Sequence, residues 1–447
     1  MTNYKNYFNN KKITIMGLGL LGRSIAYTKF LAECGAQLTV TDLKTKEQLT
    51  TSIKALSKFK NIKFVLGEHR LIDFKDKDMI IKSAGVSLDS IYIKEAKKNK
   101  ISVEMDASLF AKLASDVTII GVTGTRGKTM TTMLAYEILK ANEKFLKRKV
   151  YLGGNVRGGA TLPLLSKVKS GDIVVLELDS WQLQGFGEAK ISPTISVFTT
   201  FMADHMNYYK DDMKKYFEDK ANIFKYQTKD DALVILPKIK KLIPKVKSKL
   251  IVAKVKNLEK YDFILPGKHQ RDNLACAVEV ARLFKIPENE IKKAVKNFKG
   301  VEGRLQVVKE IDCVKIYNDN NATTIHATMA GLEALGEKNK RKRIILITGG
   351  TDKVINLDLK PFALSINKYC KDVVFIPGTG TDRLIATKKL KTPYRIISSL
   401  KEAAELASGV SKKGDIVLFS PAFASFGMFN NEYHRNDEFM KIVKKLK

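Results

Sequence analysis

The chain has 447 residues, 44% of them hydrophobic and 28% charged, with one Trp and 10 Pro. Those proportions fit a globular protein of roughly two to four domains and exclude a disordered chain, a collagen and a disulfide-stapled mini-scaffold. The net charge of +32 comes from 79 Lys and Arg against 47 Asp and Glu, mostly Lys scattered along the whole chain with no RNA-binding signature, so it reads as a Lys-rich surface compatible with an anionic small substrate rather than with nucleic acid.

In chain order, Met1 to Asn10 is polar and carries no signal-peptide pattern. Ile13–Met16 reads as a buried strand. It runs into Gly17-Leu-Gly19-Leu-Leu-Gly22, a complete G-x-G-x-x-G, and then an amphipathic helix through Leu31. The next strand, Leu38–Thr41, is closed by Asp42. Glycines at that spacing let the backbone turn tightly and approach a diphosphate at a helix N-terminus. The pattern suits a dinucleotide or a nucleotide diphosphate, and a turn needed only for helix–sheet packing stays open.

A second unit opens at the strand Val117–Ile120. Gly121-Val-Thr-Gly124-Thr125-Arg-Gly127-Lys128-Thr129 comes next, and Met130, Met133, Leu134 and Ile138 mark the apolar face of a helix. The strict phosphate-loop pattern wants Gly where Val122 stands. The variant still supplies converging backbone N–H groups, a Lys for β/γ-phosphates and a Thr for Mg²⁺, which points to a nucleoside triphosphate. Further strands are expected at Ile173–Leu178, Thr194–Thr200, Leu233–Leu236, Val314–Tyr317, Ile344–Thr348, Val373–Ile376 and Ile416–Phe419. Lys238–Lys249 reads as a solvated connector. Glu177 lies at a buried strand end, where a carboxylate costs several kcal/mol unless paired or on a metal. The β–α alternation predicts parallel α/β sheets in three domains, 1–112, 113–301 and 302–447. No apolar run is long enough to span a bilayer, and Cys34, Cys276, Cys313 and Cys370 form no C-x-x-C pair. A cytoplasmic protein with neither membrane insertion, disulfides nor a structural zinc is expected.

These turns, together with Gly153-Gly154-Asn155, Glu177-Leu-Asp-Ser-Trp-Gln-Leu183, Asp204-His205-Met206, Lys220-Ala-Asn-Ile-Phe224, Leu265-Pro-Gly-Lys-His269-Gln-Arg-Asp-Asn273, Gly303-Arg304-Leu305, Asn318-Asp319-Asn-Asn-Ala-Thr323, Gly349-Gly350-Thr-Asp-Lys353 and Ser420-Pro-Ala-Phe-Ala-Ser425-Phe426, resemble the Mur ligases in order and spacing across nearly the whole chain. The resemblance implies a Rossmann-like first domain holding a UDP-sugar rather than NAD, a central ATPase-type domain and a Rossmann-like C-terminal domain. It implies ATP-dependent, Mg²⁺-assisted amide formation through an acyl phosphate, with UDP-N-acetylmuramoyl-L-alanine and D-glutamate as partners of a monomer. Lys128, Glu177, His205 and Lys220 take the catalytic roles. Thr129, Glu177, His205 and Lys220, the last as a carbamate, hold Mg²⁺. Gly124, Thr125, Gly127, Lys128, Thr129, His269, Asn273, Arg304 and Asp319 contact ATP. Gly19, Leu20, Leu21, Asp42, Asn155, Thr323, Lys353, Ser425 and Phe426 contact the other substrates. Three positions depart from the family pattern: Asp179 stands where Ser is usual, Gly303 where His is usual, and Asn321 where Lys is usual. Competing readings are another Mur ligase or a folylpolyglutamate-type ligase using a different amino acid, an NAD-dependent enzyme, which needs neither Gly121–Thr129 nor Glu177, and a non-catalytic nucleotide-binding or nucleic-acid-associated protein.

Overall fold

The computed structural model describes residues 3–20, 22–256, 258–337, 341–352, 357–425, 428–429 and 431–446. Leu21, Lys353 and Phe426 lie outside the described residues. The ten strands expected from apolar runs all form, and among the described residues seven more join them in three sheets.

The first sheet has order β3-β2-β1-β4-β5, from β1 (Lys12–Met16), β2 (Gln37–Asp42), β3 (Ile62–Leu66), β4 (Met79–Lys82) and β5 (Ser102–Glu104), all parallel. The strand order reverses beside β1, so the crevice at the carboxyl ends of β1 and β4 is the natural ligand position of such a sheet. The first glycine turn leaves β1 there, and Ser83 leaves β4.

The second sheet, β11-β10-β9-β6-β8-β7, is also parallel. Its strands are β6 (Thr118–Thr123), β7 (Val150–Gly154), β8 (Ile173–Glu177), β9 (Ile195–Phe198), β10 (Ala232–Ile235) and β11 (Lys249–Val252). Every residue of β8, β9 and β10 is buried, which is why these segments are continuous apolar runs rather than alternating ones. Lys238–Lys249 is less of a free connector than expected. Pro237–Leu242 forms a 3-10 turn that buries Ile239.

The third sheet, β12-β13-β17-β14-β15-β16, comprises β12 (Gln306–Ile311), β13 (Val314–Asn318), β14 (Ile344–Gly349), β15 (Cys370–Ile376), β16 (Tyr394–Ile396) and β17 (Ile416–Phe419). All pairs are parallel except the hairpin β12–β13. The chain gathers into two compact units. One holds 1–261 and 272–295 with the first two sheets, and the other holds 262–271 and 296–447 with the third. One apolar core in the first unit links both of its sheets, from Ile13 and Ile15 through Leu109 and Phe110 to Leu176 and Phe198.

Candidate active site

In the second sheet the strands β8, β6 and β9 are neighbours, and their carboxyl ends carry Glu177, the Gly124–Thr129 turn and Thr199–His205. Gly124 and Gly127 hold φ of +146° and +87°. A Cβ at Gly124 would strike Thr199, and one at Gly127 would strike Asn273. The turn is therefore packed into a shape that only glycine permits. It delivers the helix Lys128–Ala141, whose N-terminus has no side-chain cap and no acid in its first turn. Such an end, with its N–H groups and dipole, favours an anion.

The turn is fastened to the segment that leaves β9. Thr125 N–H donates to Thr200 O at 2.7 Å, and Thr125 Oγ1 exchanges hydrogen bonds with Met202 O and N, both at 3.1 Å. Two lysines then converge on one carbonyl. Lys128 Nζ donates to Gly124 O at 3.0 Å and to Thr125 O at 3.2 Å, and Lys220 Nζ donates to Gly124 O at 3.0 Å. Lys220, on the helix Met213–Ala221, is 1% exposed and lies over the Tyr216 ring. Burial first, and the Lys128 charge next, hold its pKa well below the ordinary lysine range,. Burial also lowers the His205 pKa against the pull of Asp204, favouring the neutral imidazole that metals bind.

Glu177 is 3% exposed at the end of β8. Its carbonyl accepts from Asn155 N at 2.7 Å, which ties β8 to the Gly153–Asn155 turn. Asn155 Oδ1 accepts from Arg23 at 3.0 Å, a contact from the first sheet's helix. Asn273 Oδ1 accepts from Thr131 at 3.3 Å beside Gly127. Asp179 is the N-cap of the helix Ser180–Ala189: its carboxylate accepts from Gln182 N at 2.7 Å, and the Gln182 side chain accepts in return from Asp179 N at 3.2 Å. Ser would cap the same position, so the departure keeps the local architecture. Among the described residues no three His, Cys, Asp or Glu side chains cluster tightly enough to hold a metal alone. Mg²⁺ commonly takes one or two carboxylates plus phosphate oxygens, and the Thr129 hydroxyl and the buried carboxylate of Glu177 have the oxygen chemistry that suits it.

At the first glycine turn Asp42 faces inward. Its Oδ2 accepts from Leu18 N at 2.8 Å and Gly19 N at 2.9 Å, and its Oδ1 accepts from Lys44 N at 2.9 Å. Leu20 is exposed beside it. The second unit places Asp319, Thr323 and Ser425 on the segments that follow β13 and β17, neighbours in its sheet. Asp319 is buried there, accepting from Leu305 N at 3.1 Å and Ser420 Oγ at 2.8 Å. Burial pushes its pKa up to about 7. Arg304 and Thr323 are half-buried, Ser425 is buried, and His269 packs near Gly267. Gly303 has φ +70° and its carbonyl accepts from Asn321 N at 3.0 Å.

Three family models match in order: Mur ligase MurD-like N-terminal domain over 11–104, Mur ligase middle domain over 122–263, and Mur ligase glutamate ligase domain over 303–423. The UDP-N-acetylmuramoylalanine–D-glutamate ligase of Borreliella burgdorferi is 36% identical over 461 aligned positions, covering 98% of each chain. The chain belongs to the Mur ligase family. The Clostridioides difficile ligase of the same name is 32% identical, covering 98% of this chain and 99% of its own. Among solved structures, the UDP-N-acetylmuramate–alanine ligase MurC of Thermotoga maritima aligns with a TM-score of 0.63 at 20% identity, covering 97% of this chain and 99% of its own. The MurF ligase of Thermotoga maritima, solved in complex with ADP, aligns at 0.58 and 19%, covering 91% and 94%. These two share the three-domain α/β fold.

Several residues of this Mur ligase that organise the site carry no legible sequence signal. Thr199 and Thr200 brace the phosphate loop. Arg435, 2% exposed, donates to Asn320 Oδ1 at 2.8 Å, Asn320 O at 3.0 Å and Phe423 O at 3.3 Å. It thereby joins the Asn318–Thr323 segment to the segment that leads to Ser425. A lone Arg in a C-terminal helix gives no hint of this.

Proposed function

We propose that this Mur ligase joins the free carboxylate of UDP-N-acetylmuramoyl-L-alanine to the amine of D-glutamate with ATP conversion to ADP and phosphate. The substrate carboxylate attacks the γ-phosphorus and ADP leaves. The amine then attacks the acyl phosphate carbonyl and phosphate leaves. The relatives' printed name and near-complete coverage support the substrates, and a MurF neighbour solved with ADP supports the nucleotide. Domain limits near 112 and 301 and a monomeric state belong to the same proposal.

The observation that carries the chemistry is the convergence of Lys128 and Lys220 on Gly124 O. Burial first, and then the charge of Lys128 on the same carbonyl, drive the Lys220 side chain toward the free amine,. A free amine is the form that adds CO₂, and the resulting carbamate replaces a repelling cation with an anionic ligand. Thr129, Glu177, His205 and a carbamylated Lys220 would hold Mg²⁺, which would neutralise charge on the transferring phosphoryl group. Lys128 neutralises the same group from the loop, and the uncapped helix N-terminus orients it. Gly124, Thr125 and Gly127 shape the phosphate seat, with Asn273 at its back. His269, Arg304 and Asp319 serve the nucleotide. Gly19, Leu20, Leu21 and Asp42 form the UDP end of the substrate site, and Asn155 its muramyl end. Thr323, Lys353, Ser425 and Phe426 receive D-glutamate.

The test is phosphate release with ATP, Mg²⁺ and UDP-N-acetylmuramoyl-L-alanine against D-Glu, L-Glu, L-Ala, Gly, L-Lys and diaminopimelate. D-Glu should be the preferred amine. Faster ligation of any other at equal concentration overturns the specificity, and NAD binding without ATP dependence overturns the ligase reading.

A further inference from the structure

His205 adopts φ +57° and ψ +28°, a left-handed conformation that a residue with a side chain rarely takes,. Such a conformation persists where its surroundings over-determine it. Two contacts do so here. The Trp181 ring lies 4.8 Å from the imidazole, centroid to centroid. Asp204 Oδ1 accepts from His205 N at 3.1 Å, and Asp204 Oδ2 lies 3.8 Å from His205 Nε2.

Asp204 is itself gripped from the phosphate loop. Arg126, between Thr125 and Gly127, places a guanidinium nitrogen 2.9 Å from Asp204 Oδ2. The root of that side chain is fixed. Arg126 N donates to Thr200 Oγ1 at 2.8 Å, and Arg126 O accepts from the Thr199 and Thr200 hydroxyls at 2.6 and 3.0 Å. The chain of contact thus runs from the nucleotide loop through one ion pair to the backbone of the metal-ligand candidate. Both partners of the pair are partly exposed, and an isolated pair of that kind adds little to stability. Its consequence lies in geometry.

We infer that Arg126 is a positioning residue: by holding Asp204 it sets His205 in register with the phosphate loop, coupling metal affinity to the nucleotide seat. This rests on the reading of His205 as a Mg²⁺ ligand. Outer contacts that orient a ligand commonly govern metal affinity by about 10- to 100-fold.

Trp181 is the chain's sole tryptophan, so its fluorescence reports on His205 without turnover. Mg²⁺ is titrated in the presence of the non-hydrolysable analogue AMP-PNP into the full-length protein, Arg126→Ala, Arg126→Lys, Asp204→Asn and the Arg126→Ala/Asp204→Asn double variant, with circular dichroism confirming the fold. Arg126→Ala and Asp204→Asn should each raise the half-saturating Mg²⁺ concentration about tenfold. The double variant should be no worse than either, because both break one link. Arg126→Lys should recover part of the loss, and AMP-PNP affinity at saturating Mg²⁺ should stay unchanged in all. Weakened AMP-PNP binding in Arg126→Ala but not in Asp204→Asn would assign the guanidinium to the phosphates and overturn the inference. So would additive losses, or variants that titrate like the parent. A parent protein with no Mg²⁺-dependent signal would instead overturn the ligand role of His205, and the inference with it.

Discussion

Asp319→Asn should stabilise the protein at alkaline pH and leave it unchanged in acid. Ser420 Oγ lies within bonding distance of both Asp319 Oδ2 at 2.8 Å and Thr328 Oγ1 at 2.9 Å, yet it has one proton to give. An ionised Asp319 competes for that proton. A protonated Asp319 donates to Ser420 Oγ, and Ser420 then donates to Thr328, so every polar atom is served. Burial raises the Asp319 pKa from 3.8 to about 7. The folded state therefore keeps a proton that the unfolded state has lost between those values, and stability falls as pH rises through that window. A shift of that size costs about 4 kcal/mol once the group is ionised in both states. In the Asp319→Asn variant the new amide nitrogen can donate to Ser420 Oγ while the amide oxygen accepts from Leu305 N, with no proton to lose. Between pH 5 and pH 8 the variant should gain about 2–3 kcal/mol over the parent, on the order of 5–10 °C in the melting of the second unit by calorimetry. A melting difference that is flat over that range, or that favours the parent as pH rises, refutes the argument.

Three further outcomes are expected. Lys128→Ala and Glu177→Ala should each lower phosphate release by about 100-fold or more while melting as cooperative folded proteins, since a charge contact felt mainly in the transition state is lost; near-parental rates in either would dismiss that residue's role. Lys220→Ala should be nearly inactive and Lys220→Glu should recover part of the rate, whereas a fully active Lys220→Ala enzyme rules the carbamate out. Asp179→Ala should cost about 1 kcal/mol in chemical unfolding through loss of the helix cap, with Asp179→Ser close to the parent; equal stability of all three would show that the capping box contributes nothing.

The parallel framework was legible because its central strands are buried on both faces and so appear as unbroken Val, Ile and Leu runs. The edge strands were not, and neither was the interior strand β4, whose three apolar residues Met79–Ile81 make too short a run to stand out. β16 is wholly exposed, and β12 alternates between half-buried and exposed positions, so neither stands out from a helix or a loop. The glycine turns were legible because positive φ at Gly17, Gly124 and Gly127 leaves glycine little competition. Lys220 was legible only through the family resemblance. Among so many lysines, nothing local distinguishes the one that is folded beneath Gly124 O. Asp179 was ambiguous for a different reason: a carboxylate there could join a metal's outer shell or meet a lysine, and the helix cap it gives through Gln182 N was not read from the sequence. Arg126, Asp204 and Arg435 act across long sequence separations, 78 residues for the first pair and 115 for Arg435 with Asn320, where no spacing rule applies.

The inward carboxylate of Asp42 also bears on how a sequence fingerprint can mislead. In a dinucleotide-binding protein, an acid at the end of the second strand greets the ribose of the cofactor. Here the same acid has turned back on the loop that precedes it and anchors the amides of Leu18, Gly19 and Lys44. Gly-x-Gly-x-x-Gly and its acidic companion are both present, yet their mutual geometry makes them a self-latched turn rather than a clasp for an adenosine. Removing that acid would loosen the loop itself, so a loss of binding in an Asp42 variant would report on a slackened backbone as much as on a missing ligand contact.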